Sequence, residues 1–251
     1  ASCDQPLTIR LVQAPDDPIL EAEFYRVKME GTTLDGWPIA DRFSELRYLT
    51  ELSVGGYSRW DPRPPEDWAL AYKTKNKFVR DAIADSQCRG RRPLDSEKEV
   101  FRRYHDHPVL TNWKAIEPTF TPNSVFVQLS LSVLTFAAKV IKDEGPCLVW
   151  VQHDWVGQRL SDITGIPYYA GKGKTSGGSY IGDADGTESC ILSAHANRRQ
   201  RNLQMFTRNV VIGPEMSNER WEQKICRTHR HLQNKPVSFT VILSGAASVK
   251  A

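Results

Sequence analysis

A chain of 251 residues, 40% hydrophobic and 25% charged, can bury one large core or two small ones. No run approaches the ~18 consecutive apolar residues of a membrane span, and Ala1-Ser2-Cys3-Asp4 is no signal peptide, so a soluble, cytoplasmic protein is expected. A net charge of +3 excludes bulk electrostatic attraction as the main device, and five dispersed cysteines (Cys3, Cys88, Cys147, Cys190, Cys226) exclude a disulfide framework and a zinc knuckle.

The chain changes character near residue 120. Residues 1–120 are rich in tryptophan, proline and charge and read as a mixed, largely helical accessory region. Leu7–Val12 and Glu23–Met29 have strand patterns, the second through alternating Phe24, Arg26 and Lys28. After the Gly55-Gly56 turn, Pro64-Pro65 suits a helix start, and Trp68, Tyr72, Lys75, Phe78, Val79 and Ile83 predict one long amphipathic helix over 65–86. Asp95-Ser96 with Glu99 reads as a capping box. His105-Asp106-His107 has no third ligand and is assigned to a helix-end loop, not a metal site. Arg89, Arg91 and Arg92 form a basic cluster that reads as a solvated loop.

Residues 121–251 alternate short apolar runs with helical patterns, the mark of an α/β lobe. Strands are expected at 124–129, 147–151, 166–170, 189–194, 210–212 and 237–243. Helices are expected at 132–143, from a cap at Asp154 to Gly165, around Asn202–Phe206, and over 217–230. Gly173-Lys174-Thr175 ends like a phosphate-binding loop, but the required first glycine is Tyr168, and Ser176-Gly177-Gly178-Ser179 would break the helix that must follow. A loop joining two strands is the better reading.

The 217–230 helix carries the most chemistry. Gln223, Arg227 and Arg230 fall at i, i+4 and i+7, so a regular helix would put them on one face. Two arginines a turn apart can bracket a polyphosphate in bidentate forks. A solvated basic helix end that complements the helix dipole would use the same residues.

The spacing Gln223-x-x-x-Arg227-x-His229-Arg230-x-x-Gln233 resembles the sixth signature motif of superfamily 2 helicases, in the form found in the Swi/Snf-like branch and related phage helicases. Ser193-Ala194-His195 and Arg201-Asn202-Leu203-Gln204 resemble the fifth motif, and Cys147–Gly165 sits where the fourth does. The match spans about residues 145–245. More weakly, Glu51–Tyr57 through Trp68 resembles the region before the second lobe in phage members.

This resemblance implies a RecA-like parallel sheet flanked by helices, acting as the second motor lobe of an ATP-dependent DNA helicase or translocase in DNA replication or repair. Arg227 and Arg230 match arginine fingers on the ATP γ-phosphate, and Gln223 matches the glutamine that organises them. Ser193, His195 and Asn202 match positions linking the nucleic-acid backbone to the ATP site, with Arg198, Arg199 and Arg201 beside them as phosphate contacts. ATP and Mg2+ would be bound mainly by a first lobe, in the same polypeptide or in trans, because this chain has no Walker motif and is expected to be inactive alone. Three features depart from the family: a glycine-free loop at 196–201, Cys226 before the first motif arginine, and Leu232 where a glycine is usual. The competing reading is a lobe-like DNA- or protein-binding module that has lost its motor function. A small-molecule phosphate-loop kinase fails on the spacing around Lys174.

Overall fold

The computed structural model describes residues 4–88, 93–194, 202–213, 215 and 217–244. In chain order its elements are β1 (Leu7–Ala14), α1 (Pro18–Glu30), α2 (Arg42–Leu52), β2 (Gly56–Trp60), α3 (Glu66–Cys88), α4 (Glu97–Arg103), α5 (Pro108–Ile116), β3 (Ser124–Gln128), α6 (Ser132–Glu144), β4 (Leu148–Val151), α7 (Asp154–Thr164), β5 (Tyr168–Tyr169), β6 (Cys190–Ser193), β7 (Arg208–Ile212), α8 (Asn218–Thr228) and β8 (Val237–Ser244). Two compact units result: one from Ala1–Pro18, Ser53–Gly55 and Ser130–Ala251, the other from Ile19–Leu52 and Gly56–Leu129. The single boundary read near residue 120 is thus replaced by an inserted unit, because β1 belongs with the last strand of the chain.

The first unit, called here the sheet unit, holds a parallel sheet in the order β1-β8-β7-β4-β6-β5. Its central strands β4 and β6 are buried along their whole length, which is why they read as unbroken apolar runs. Period-two alternation sends Leu148 and Trp150 of β4, with Leu192 and Val211, toward Trp221 and Ile225 of α8. Helices α6 and α7 pack on each other, α6 against β1 and β7 and α7 against β4, β5 and β6. The fold is of the α/β class expected, a parallel sheet flanked by helices.

α7 ends at Gly165, whose left-handed φ of 74° is the usual glycine stop. Its cap differs from expectation. His153 is the N-cap, and Asp154 enters the first turn with its carboxylate turned to other partners. At Gly157 a Cβ would come within 2.3 Å of the Tyr168 ring, so only glycine lets α7 and β5 approach this closely.

The second, helical unit corrects the strand expected at Glu23–Met29. That segment lies in α1, where Leu20, Phe24 and Val27 are buried at helical spacing after Pro18 at the helix start. The 124–129 strand does form, as β3, but it pairs antiparallel with β2 in a two-stranded sheet and not in the parallel one. α3 is the long helix predicted, and its Trp68 and Ala71 pack on Trp113. His107 caps α5 by accepting from the Val109 amide at 3.3 Å and stacks on Phe78, while His105 pairs with Asp106. Among the described residues no cluster of ligating side chains could hold a metal, and no helix is long and apolar enough to cross a membrane.

Candidate functional site

In the parallel sheet the chain leaves β4 through α7 toward β5 and β6, and leaves β7 through α8 toward β8. Neighbouring strands whose connections diverge open a crevice at their carboxyl ends, where ligands of α/β sheets bind. Here that crevice lies beyond β4 and β7, and a narrow cavity at its base is lined by Trp150, Ala194, Glu215, Gln223, Lys224 and Arg227. Its volume of about 10 Å³ leaves room for about one water.

Helix α8 supplies most of the wall. Ser217 caps it by accepting from the Arg220 amide at 3.4 Å, and Trp221, Lys224, Ile225 and Thr228 face inward at i, i+3, i+4 and i+7. The helix ends earlier than its pattern suggests. Leu203 donates its amide to the Arg227 carbonyl at 3.1 Å, and the Gln233 side chain donates to the Thr228 carbonyl at 2.9 Å. Those two donors satisfy carbonyls that a further turn would have used. His229 then takes an extended conformation, and its Nε2 donates to the Gln5 carbonyl, 2.7 Å away.

Gln223 and Arg227 therefore share a helical face, but Arg230 does not continue it. It lies beyond the helix, exposed, in the turn that Gln233 holds. Arg227 is half-buried. Burial, then the nearby Arg230 charge, lowers its pKa from the usual arginine value. Gln223 donates to Glu219 one turn back at 2.9 Å.

The 202–206 segment is laced to this turn. Gln204 donates to the His231 carbonyl at 2.9 Å, and Gln233 returns a bond to the Gln204 carbonyl at 3.0 Å. Asn202 is exposed, and its side chain accepts from the Gln204 amide at 3.2 Å. The short helix expected around Asn202–Phe206 is a single turn closed by Phe206 on Leu203, because Leu203 and Phe206 are drawn into the core instead. Ser193 is buried and donates to Asp154 at 3.0 Å, so a direct nucleic-acid contact from its hydroxyl is corrected to an internal one. Tyr168 donates to the same carboxylate at 2.7 Å, tying β5, β6 and α7 together. His195, Arg198, Arg199 and Arg201 lie outside the described residues.

Two residues central to the site were not singled out from sequence. Lys224 is buried, 2.5 Å from the Glu215 carboxylate and over the rings of Trp150 and Trp221. Its place on the Trp221–Ile225–Thr228 stripe was a readable signal; nothing in the sequence marks Glu215. Beneath them Asn209 accepts from the Trp150 indole at 3.1 Å and donates to Thr228 at 3.2 Å. The segment read as a loop between two strands rather than a phosphate cradle is a 3-10 turn at Gly171–Gly173 followed by a Lys174–Tyr180 bridge, with no helix directly after Thr175.

No protein-family model matches the chain, and no curated protein matches it. It is similar to the solved structure described as the crystal structure of the C-terminal part of Fun30 ATPase domain, at 13% identity and a TM-score of 0.49. That likeness covers 96% of this chain and 86% of the other.

Proposed function

We propose that this chain is the second motor lobe of an ATP-dependent DNA helicase or translocase, acting with a first lobe that binds ATP and Mg2+. One observation carries the reading. Arg227 lines the narrow cavity together with Gln223, and Arg230 follows it, exposed, in the turn after α8. In a two-lobed motor this edge would face a nucleotide held by the partner lobe. The guanidinium groups would meet charge as it develops on the γ-phosphate oxygens. Gln223 would keep the helix face polar beside them. The bonds joining Gln204 to His231 and Gln233 support a second part of the proposal. A DNA strand gripped by Arg198, Arg199 and Arg201 would pull on the same turn that carries Arg230.

The test is DNA-stimulated ATP hydrolysis by the two-lobed protein. Arg230→Ala is expected to slow it by about 10³-fold while DNA binding persists. Equal rates in both proteins would overturn the finger role and leave the DNA- or protein-binding module as the better account.

A further inference from the structure

The helical unit contains a cleft of about 210 Å³ that the motor reading does not use. It is smaller than the ~300 Å³ at which ordinary ligand pockets begin, and so suits one planar ring better than a whole cofactor. One wall is aromatic. Trp37, Trp60 and Tyr72 contact one another with centroids 5.0, 4.9 and 5.8 Å apart and steep tilts. Rings packed so tightly make a single wall and cannot cage a cation between them.

The floor is rich in acceptors. Glu51, with a side chain 6% exposed, accepts from the Ser58 amide at 2.8 Å, and Arg47 approaches its second oxygen at 3.7 Å. The Asp35 carboxylate accepts from the Tyr57 hydroxyl at 3.5 Å on the same side. Tyr48 accepts from the Leu34 amide at 2.9 Å. The rim is basic: Arg47 and Arg59 are exposed there, and the Lys73 ammonium lies 5.2 Å from the Trp37 ring centre. A cationic guest would meet repulsion at this rim, whereas an anionic tail would be held.

We propose that this cleft takes one unstacked nucleobase carrying an amino group. The ring would lie on the Trp37–Trp60 wall, its amine would face Asp35 and Glu51, and its phosphate would face Arg47 and Arg59. Base–aromatic stacking and basic contacts to the backbone are the general means of holding a single strand. The carboxylates add a preference that stacking lacks, since a carboxylate accepts from an amino group and repels the carbonyl of thymine. The site is independent of Arg227 and Arg230, so it can fail or stand without the motor reading.

The test is quenching of tryptophan fluorescence in this chain, titrated with short oligomers of deoxycytidine, deoxyadenosine or thymidine, and with free AMP. The amino-bearing oligomers are expected to bind about tenfold more tightly than thymidine oligomers. Asp35→Asn should erase that preference, and Arg59→Ala should weaken all oligomers together. Both Asp35 and Arg59 are exposed, so the variants keep the fold. Binding of AMP as tight as that of the oligomers would assign the cleft to a free nucleotide of the same chemistry. Equal affinity for thymidine and cytidine oligomers, or a preference that survives Asp35→Asn, would overturn the proposal.

Discussion

In the sheet unit Lys224 lies over Trp150 and Trp221 with its ammonium on Glu215; in the helical unit Lys75 lies over Tyr72 and Trp113 with its ammonium 2.8 Å from Glu97. The parts are the same, but the surroundings differ. The Glu215 side chain is 5% exposed and the Glu97 side chain 35%. A half-hydrated carboxylate can lose its lysine at modest cost, whereas a closed pair has no water to turn to. Burying both charges gains little stability over apolar packing. The closed pair is better understood as fixing the segment after β7 against α8, next to the arginines, while the open pair fastens α4 to α3.

The largest expected effect breaks this comparison directly. Glu215→Gln should cost about 3–5 kcal/mol in urea or guanidinium unfolding, because it strands a buried ammonium. Glu97→Gln should cost about 1–2 kcal/mol, since water reaches that side. Similar losses in the two variants would show that closure does not set the difference. The same contrast holds for neutral groups. Gln233→Ala should cost about 2–3 kcal/mol by leaving the Thr228 and Gln204 carbonyls without its amide. Asn76→Ala, which removes one bond to the Pro38 carbonyl, should cost about 1–2 kcal/mol.

Alkali sharpens the picture in the sheet unit. Burial pushes the thiols of Cys147 and Cys190 up from 9.0 to about 11. Between those values the folded chain holds protons that the unfolded chain has lost, so stability falls as pH rises from about 9 to about 11. Denaturant midpoints at about pH 8 and pH 10.5 would reveal the slope, and a double Cys→Ala variant should flatten it. The smallest effect has the opposite sign. Leu232 is 83% exposed and sits at φ 72°, a left-handed conformation that favours glycine. Leu232→Gly should raise stability by about 1 kcal/mol, read in the same titration.

That last site shows what the sequence could reveal. The family resemblance flagged Leu232 as standing in for a glycine, and the backbone there has the conformation a glycine would supply. The buried strands β4 and β6 were also legible, because a strand covered on both faces leaves a continuous apolar run. Other features depended on tertiary partners. The helical pattern of α8 continues past Thr228, but the Gln233 side chain and the Leu203 amide take its last carbonyls, which removes Arg230 from the expected face. Glu23–Met29 misled because three alternating residues masked the wider Leu20–Phe24–Val27 spacing. The partnership of β1 with β8 was invisible, since no local pattern names a strand's neighbour.

That pairing also sets an order of events. Leu7 is in register with Val237, and Leu11 with Val241. At ribosomal rates of roughly 5–20 residues per second, β1 waits on the order of ten seconds or more before its partner emerges. Throughout that interval Leu7, Ile9 and Leu11 have no sheet to join. Contacts this distant along the chain also slow the search for the native state. A nascent-chain binder acting before β8 emerges would find its target in β1, the strand whose partner is made last.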